Sequence, residues 1–75
     1  MQIEQLNVNH SRYTGSAIAG DIAANFAYEW RPVDRAGQLV GAAPRITRLR
    51  TTERLNGSQR SELIAAIEIE LGKVA

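Results

Sequence analysis

The 75 residues of this chain suffice for one domain with a thin hydrophobic core. The absence of cysteine excludes disulfides and thiolate metal sites, and a single histidine argues against a zinc site. Nine basic and eight acidic residues give a net charge of +1, so the overall charge predicts no particular partner. We therefore expect one compact domain over residues 1–75, stabilised by its own core or by self-association.

The first strand is predicted at residues 2–10, where Leu6, Val8 and His10 alternate with polar residues. The N-terminal residues lack the basic start and the apolar run of a signal peptide. No apolar stretch approaches the ~20 residues that a membrane span needs. We therefore predict a cytoplasmic protein without membrane contact.

Residues 16–31 show a longer alternation, which predicts a second strand ending in Phe26, Tyr28 and Trp30. A helix over residues 16–24 is the alternative prediction, because alanine favours helices and the large apolar residues are also spaced by four. These residues are Ile18, Ile22, Phe26 and Trp30. Glycine at position 20 predicts a bulge or a break within this segment.

Residues 31–44 contain both prolines and two glycines, which predicts a long loop, with a short strand at residues 39–40 as the alternative. Residues 45–55 are rich in β-branched side chains and predict a third strand.

The C-terminal residues 58–72 predict a helix, with Ser58 as N-cap and Gly72 as the C-terminal stop. Its apolar residues fall within one arc at helical spacing. They are Leu63, Ile64, Ile67, Leu71 and Val74. The order β-β-β-α predicts an α+β fold, in which the helix packs on one face of a three-stranded antiparallel sheet.

No constellation of residues predicts catalysis. His10 has no nucleophile and orienting carboxylate in a recognisable pattern beside it. The carboxylates of Glu68 and Glu70 diverge on the helix, and Asp21 and Glu29 lie far apart along the second strand. No phosphate-binding loop is present. We therefore expect a protein that is not an enzyme and that uses no metal and no cofactor.

Basic charge is concentrated in the middle of the chain. Residues 1–30 sum to −2, residues 31–60 to +5 and residues 61–75 to −2. A GC-rich genome would also produce many arginine and alanine codons without functional meaning. In the third strand, Arg48 and Arg50 share one face with Ile46, and Leu49 lies on the other. Because burying unpaired charge is costly, we expect Leu49 to face the helix and the two arginines to lie on the open face of the sheet.

The exposed arginines predict a partner-binding surface. Two or three arginines suit an acidic protein surface, with nucleic acid as the less favoured partner. Exposed aromatic side chains beside them would suit base stacking, but a domain this small needs Phe26 and Tyr28 in its core. The candidate residues are Arg48, Arg50, Arg54, Arg31, Arg35 and Trp30.

Ile69 lies off the apolar arc of the helix, between two glutamates. A singly exposed isoleucine needs no explanation. The alternative is a second contact surface, so Ile69 is the candidate residue for self-association as a homodimer.

The order of three segments resembles small uncharacterised accessory proteins of phages and prophages. These segments are YEWRP at residues 28–32, RITRLR at residues 45–50 and the acidic helix at residues 58–71. The resemblance implies a non-catalytic inhibitor or adaptor that binds a larger protein complex. It assigns no functional residues. We therefore predict a small protein-interaction module, with a nucleic-acid-binding protein as the alternative.

Overall fold

The computed structural model describes residues 2–74, with Val74 described by its backbone alone. It has four strands and one helix: β1 (Gln5–Asn9), β2 (Thr14–Ala19), β3 (Ile22–Arg35), β4 (Gln38–Thr51) and α1 (Gly57–Val74). The strands form one antiparallel sheet in the order β1-β2-β3-β4, and α1 packs on one face. The predicted α+β class with one C-terminal helix is confirmed, whereas the prediction of three strands is wrong.

The predicted strand over residues 16–31 is two strands, because the chain reverses at Gly20 and Asp21. Ala19 pairs with Ile22 across this two-residue turn, and Gly20 has a φ of 62°. Glycine adopts this left-handed conformation without a Cβ clash. The break at Gly20 is confirmed and the helical alternative is wrong. Since the turn switches which residues face inward, Ala17 and Ala19 are buried while Ile18 is exposed.

The predicted loop over residues 31–44 is wrong, because these residues complete β3 and begin β4. Ala36 and Gly37 form the turn with φ values of 52° and 80°, and Arg35 pairs with Gln38. Positive φ at both central residues is the requirement of a type I′ hairpin turn. Residues 29–35 and 38–45 extend beyond the end of β2 as a two-stranded ribbon, here called the arm.

Both prolines fit the arm because their nitrogens lie at its free edges. The Tyr28 amide donates to the Tyr13 carbonyl on the β2 side, so Pro32, four residues later, points its nitrogen past the end of β2. On β4, the Ile46 amide points away from β3, towards α1, and Pro44 shares that orientation. A proline at such a position removes no ladder hydrogen bond and blocks the addition of another strand.

The core lies between α1 and the inner face of the sheet. Leu63, Ile67 and Leu71 of α1 are almost fully buried, at 1%, 0% and 1% exposure. These three confirm the predicted apolar arc, Ile64 packs partly against it, and the side chain of Val74 lies outside the described residues. The sheet contributes two kinds of side chains, small alanines and a few large residues. They are Ala17, Ala19, Ala24, Phe26, Tyr28 and Leu49.

The helix begins earlier than predicted because Asn56, and not Ser58, caps it. The Gln59 amide donates to Asn56 Oδ1 at 2.8 Å, and the Asn56 amide donates to Gln59 Oε1 at 3.1 Å. This reciprocal pair is a capping box. The helix also continues through Gly72, which was predicted to stop it. No helix within the described residues is long and apolar enough to cross a membrane.

Candidate functional site: the open face of the sheet

The face of the sheet that points away from α1, here called the open face, is polar. The strand register aligns its side chains in rows across all four strands. One row is Asn7, Ser16, Asn25 and Arg50, and the next is Asn9, Thr14, Ala27 and Arg48. The predicted inward position of Leu49 is confirmed at 6% exposure, and both Arg48 and Arg50 are exposed.

A β-bulge in β4 changes which other residues join this face. Tyr28 pairs with Ile46 and Ala27 pairs with Arg48, so Thr47 is left without a partner on β3. An extra residue of this kind reverses the alternation of side chains on either side of it. Ile46 therefore packs partly against the core, where it was predicted to lie on the open face. Arg45, which strict alternation would place on the face opposite Arg48 and Arg50, instead pairs with Glu29 in the register and shares the open face with them, beyond the residues that line the trough.

The open face contains a shallow depression of about 670 Å³, here called the trough. Its floor consists of side chains of the two central strands, the short Thr14, Ser16 and Ala27 and the longer Asn25. Amides of β1 line one side, and Arg48 and Arg50 of β4 line the other. The trough therefore runs along the strands, between a neutral wall of hydrogen-bonding amides and a positively charged wall.

The charge of the arginine wall is not neutralised within the described chain. Among residues 2–74, no acidic side chain forms a salt bridge with Arg45, Arg48 or Arg50. Glu29 pairs with Arg45 in the register, but its carboxylate accepts from Arg31 Nε at 2.6 Å. Arginines left without a counterion on one face attract an anionic partner more strongly than arginines paired across the sheet.

The other predicted site residues do not join this wall. Arg31 is bound to Glu29 on the arm, and Arg35 lies at the far end of the arm. Arg54 follows β4 in the segment that leads to α1. Trp30 lies on the opposite side of the sheet, where it packs partly against the core. Of the predicted site residues, the structure thus brings together only Arg48 and Arg50 within the described chain, and Arg45 lies on the same face. The other four predicted residues lie elsewhere.

The aromatic side chains form a cluster on the inner face. Tyr28 lies 5.7 Å from Tyr13, 6.1 Å from Phe26 and 6.1 Å from Trp30 between ring centroids. Phe26 and Tyr28 are buried at 4% and 3% exposure, which confirms that they belong to the core. None of the three β3 aromatics is available on the open face to stack on nucleic-acid bases.

The Tyr28 hydroxyl is buried without a hydrogen-bond partner among the described residues. Burial raises the pKa of Tyr28 above its ordinary value, and the nearby Tyr13 raises it further. This hydroxyl belongs to the core, and it gives the fold a titratable group that must stay neutral.

Two side chains of α1 cover the outer edge of β4. Arg60 donates to the Leu49 carbonyl at 3.1 Å, and Glu68 Oε2 accepts from the Ile46 amide at 3.0 Å. Satisfied backbone groups cannot pair with a further strand. A further strand therefore cannot add to this part of the edge.

Exposed apolar side chains also lie outside the open face, and Tyr13 is one of them at 51% exposure. Leu39 and Val40, near the end of the arm, are 72% and 58% exposed. Ile69 on the outer side of α1 is 60% exposed, in line with its predicted position off the apolar arc.

His10 lies at the exposed end of β1, outside the residues that line the trough. Within residues 2–74, no group of three or more histidine, aspartate or glutamate side chains is placed to hold a metal ion. Comparison of the chain with known protein families, curated proteins and solved structures found no match. The geometry and charge of the open face are therefore the features of this protein that bear on its function.

Proposed function

We propose that this protein is a non-enzymatic protein-interaction module, of the inhibitor or adaptor kind, whose open face binds an acidic surface on a larger protein. The observation that carries the proposal is the pair of arginines without counterions, Arg48 and Arg50, at one side of the trough, with Arg45 further along the same strand. Arginine is enriched in protein interfaces because its planar group forms paired hydrogen bonds with carboxylates. The amides and hydroxyls of the trough add neutral hydrogen-bonding groups for the same partner.

Nucleic acid is the second candidate, because Arg45, Arg48 and Arg50 follow one strand and could contact successive phosphates. The open face offers no aromatic ring for base stacking, which single-stranded nucleic acid usually requires. Contacts to the phosphate backbone alone would give binding without sequence preference and with a steep dependence on salt.

Self-association is compatible with this function only away from the trough. A dimer through the open face would cover the arginines and amides that the proposed partner needs. Ile69, on the opposite side of the molecule, remains the candidate contact for a homodimer.

The test is charge reversal at the trough. We expect Arg48→Glu/Arg50→Glu to lose the partners that the wild-type protein captures from its native host, as identified by mass spectrometry. The matched control is Arg12→Glu/Arg54→Glu, which makes the same change in net charge at exposed residues outside the trough and should retain them.

Two results would overturn the proposal. One is capture that the trough variant leaves unchanged. The other is retardation of DNA or RNA by the wild-type protein, weakening steeply with salt and abolished by the trough variant but not by the control. That second result would assign the open face to nucleic acid.

A further inference from the structure

We propose that the trough accommodates an acidic α-helix of the partner, lying along the strands with its carboxylates towards Arg48 and Arg50. This inference rests on the proposed function and specifies the shape of the partner. Three features of the trough carry it: its width, the spacing of its arginines and the apolar residue at one end.

The width of the trough fits a helix. Adjacent strands lie about 4.8 Å apart, so the three spacings from β1 to β4 make it about 14 Å wide. A helix with its side chains is about 10–12 Å in diameter. The floor contains the short side chains of Thr14, Ser16 and Ala27, which leave room for it, and the longer Asn25 beside Ser16 is a hydrogen-bonding group within the floor.

The spacing of the arginines fits carboxylates one helical turn apart. Arg48 and Arg50 are two residues apart on β4, which corresponds to about 6.8 Å along the strand. Side chains at positions i and i+4 of a helix are separated by about 6 Å along its axis. A helix parallel to β4 would therefore place successive glutamates or aspartates opposite successive arginines.

An exposed apolar side chain, Ile18, lies just beyond one end of the trough. The row beyond Arg50 contains Ile18 and Ala23, which pair with each other, and Ile18 is 39% exposed on the open face. This row lies about 7 Å past Arg50, or one more helical turn. A partner helix should therefore carry an apolar residue one turn beyond its second carboxylate. The resulting pattern is acidic at i and i+4 and apolar at i+8.

The structure disfavours other shapes of partner. An extended peptide usually binds by adding a strand, but Glu68 and Arg60 occupy backbone groups of the β4 edge, and Pro32 and Pro44 interrupt the edges of the arm, so a strand could add at the outer edge of β1 but not beside the arginines of β4. Among the described residues that line the trough, the one aromatic, Phe26, has its side chain buried in the core, so single-stranded nucleic acid would find no exposed ring there. A helix needs neither a free edge nor an aromatic platform.

The experiment uses the whole protein and three synthetic peptides of about 16 residues, long enough for four turns. The first is an alanine-rich helix with glutamates at i and i+4 and leucine at i+8. The second has the same composition with the glutamates two apart, so that they lie on different sides of the helix. The third keeps the first pattern but has a central proline that breaks the helix. Binding is measured from the NMR signals of the side-chain amides of Asn7, Asn9 and Asn25.

We expect the first peptide to bind with shifts at these amides, and the other two to bind at least about tenfold more weakly, since tenfold corresponds to 1.4 kcal/mol. Arg48→Glu/Arg50→Glu should weaken the first peptide by a similar factor, and Arg12→Glu/Arg54→Glu should not. Ile18→Ser should weaken it severalfold, whereas Ile69→Ser, which changes an exposed isoleucine on the opposite side, should not.

If the proline peptide binds as tightly as the first peptide, the partner is not a helix, while the proposal of an acidic partner is retained. Equal binding of the second peptide would overturn the spacing argument in the same way. If no acidic peptide binds, the helix proposal fails, and the capture experiment with the native host decides the proposed function separately.

Discussion

Ile67 and Ile69 provide a matched test of how the helix packs. Both are isoleucines in the interior of α1, yet Ile67 is 0% exposed and Ile69 is 60% exposed. Ile67→Ala removes three buried carbons, which at about 0.8 kcal/mol each is a loss of roughly 2.4 kcal/mol before any cavity forms. The cavity brings the expected loss in the free energy of unfolding to about 2–5 kcal/mol.

This loss is large for a chain of this length. At roughly 0.05–0.15 kcal/mol per residue, the domain has about 4–11 kcal/mol of stability in total, so Ile67→Ala should remove a large share of it. Ile69→Ala should be neutral or slightly stabilising, because alanine has the better helix propensity and nothing buried is lost.

The assay is urea denaturation of both variants, followed by circular dichroism. Since the two substitutions are chemically identical and share one helix, their difference measures burial alone. Equal losses for the two variants would refute the assigned inner face of α1. So would a larger loss at Ile69 than at Ile67, unless the protein proves to be a dimer at the concentration used.

Two further substitutions test the sheet and its buried hydroxyl. A Cβ added at Gly15 would lie 2.6 Å from the Asn7 carbonyl oxygen and 2.6 Å from the Phe26 ring. Gly15→Ala should therefore lower the free energy of unfolding by about 1–3 kcal/mol, measured by thermal or urea denaturation. A neutral result would contradict this close approach. Tyr28→Phe removes a buried hydroxyl without a partner, so we expect unchanged or slightly higher stability, and a loss above about 1 kcal/mol would mean that the hydroxyl has a partner. Because the pKa of Tyr28 is raised from 10.0, the folded state holds this proton more tightly than the unfolded state does. The wild-type protein should therefore lose stability as pH rises above 10.0, and Tyr28→Phe should reduce that loss in unfolding measured across the alkaline range.

The sequence alone determined the features that depend on local periodicity. The apolar arc of α1 appears as helical spacing, which is why Leu63, Ile67 and Leu71 were identified as core residues. The inward position of Leu49 followed from the cost of burying its arginine neighbours. The break at Gly20 was among the predictions because glycine is the residue that most readily adopts a positive φ.

Only the tertiary structure decided the number of strands. The segment at residues 31–44 reads as a loop because it contains two prolines, and its turn is Ala-Gly and not the favoured Asn-Gly. Proline is acceptable in a strand when its nitrogen faces a free edge. Whether an edge is free depends on where the neighbouring strand ends, and here β2 ends before the arm begins.

Which residues of β4 lie on the open face was likewise decided by the tertiary structure. Strict alternation would place Ile46 on the same face as Arg48 and Arg45 on the opposite face. Because Thr47 has no partner on β3, Ile46 lies on the inner face and Arg45 on the open face. The bulge has no mark in the sequence, since any residue of β4 can be left without a partner. It forms where Ile46 pairs with Tyr28 and packs partly against the core, and where the Ile46 amide donates to Glu68, so the apolar side chain stays on the inner face and Arg45 lies on the open face.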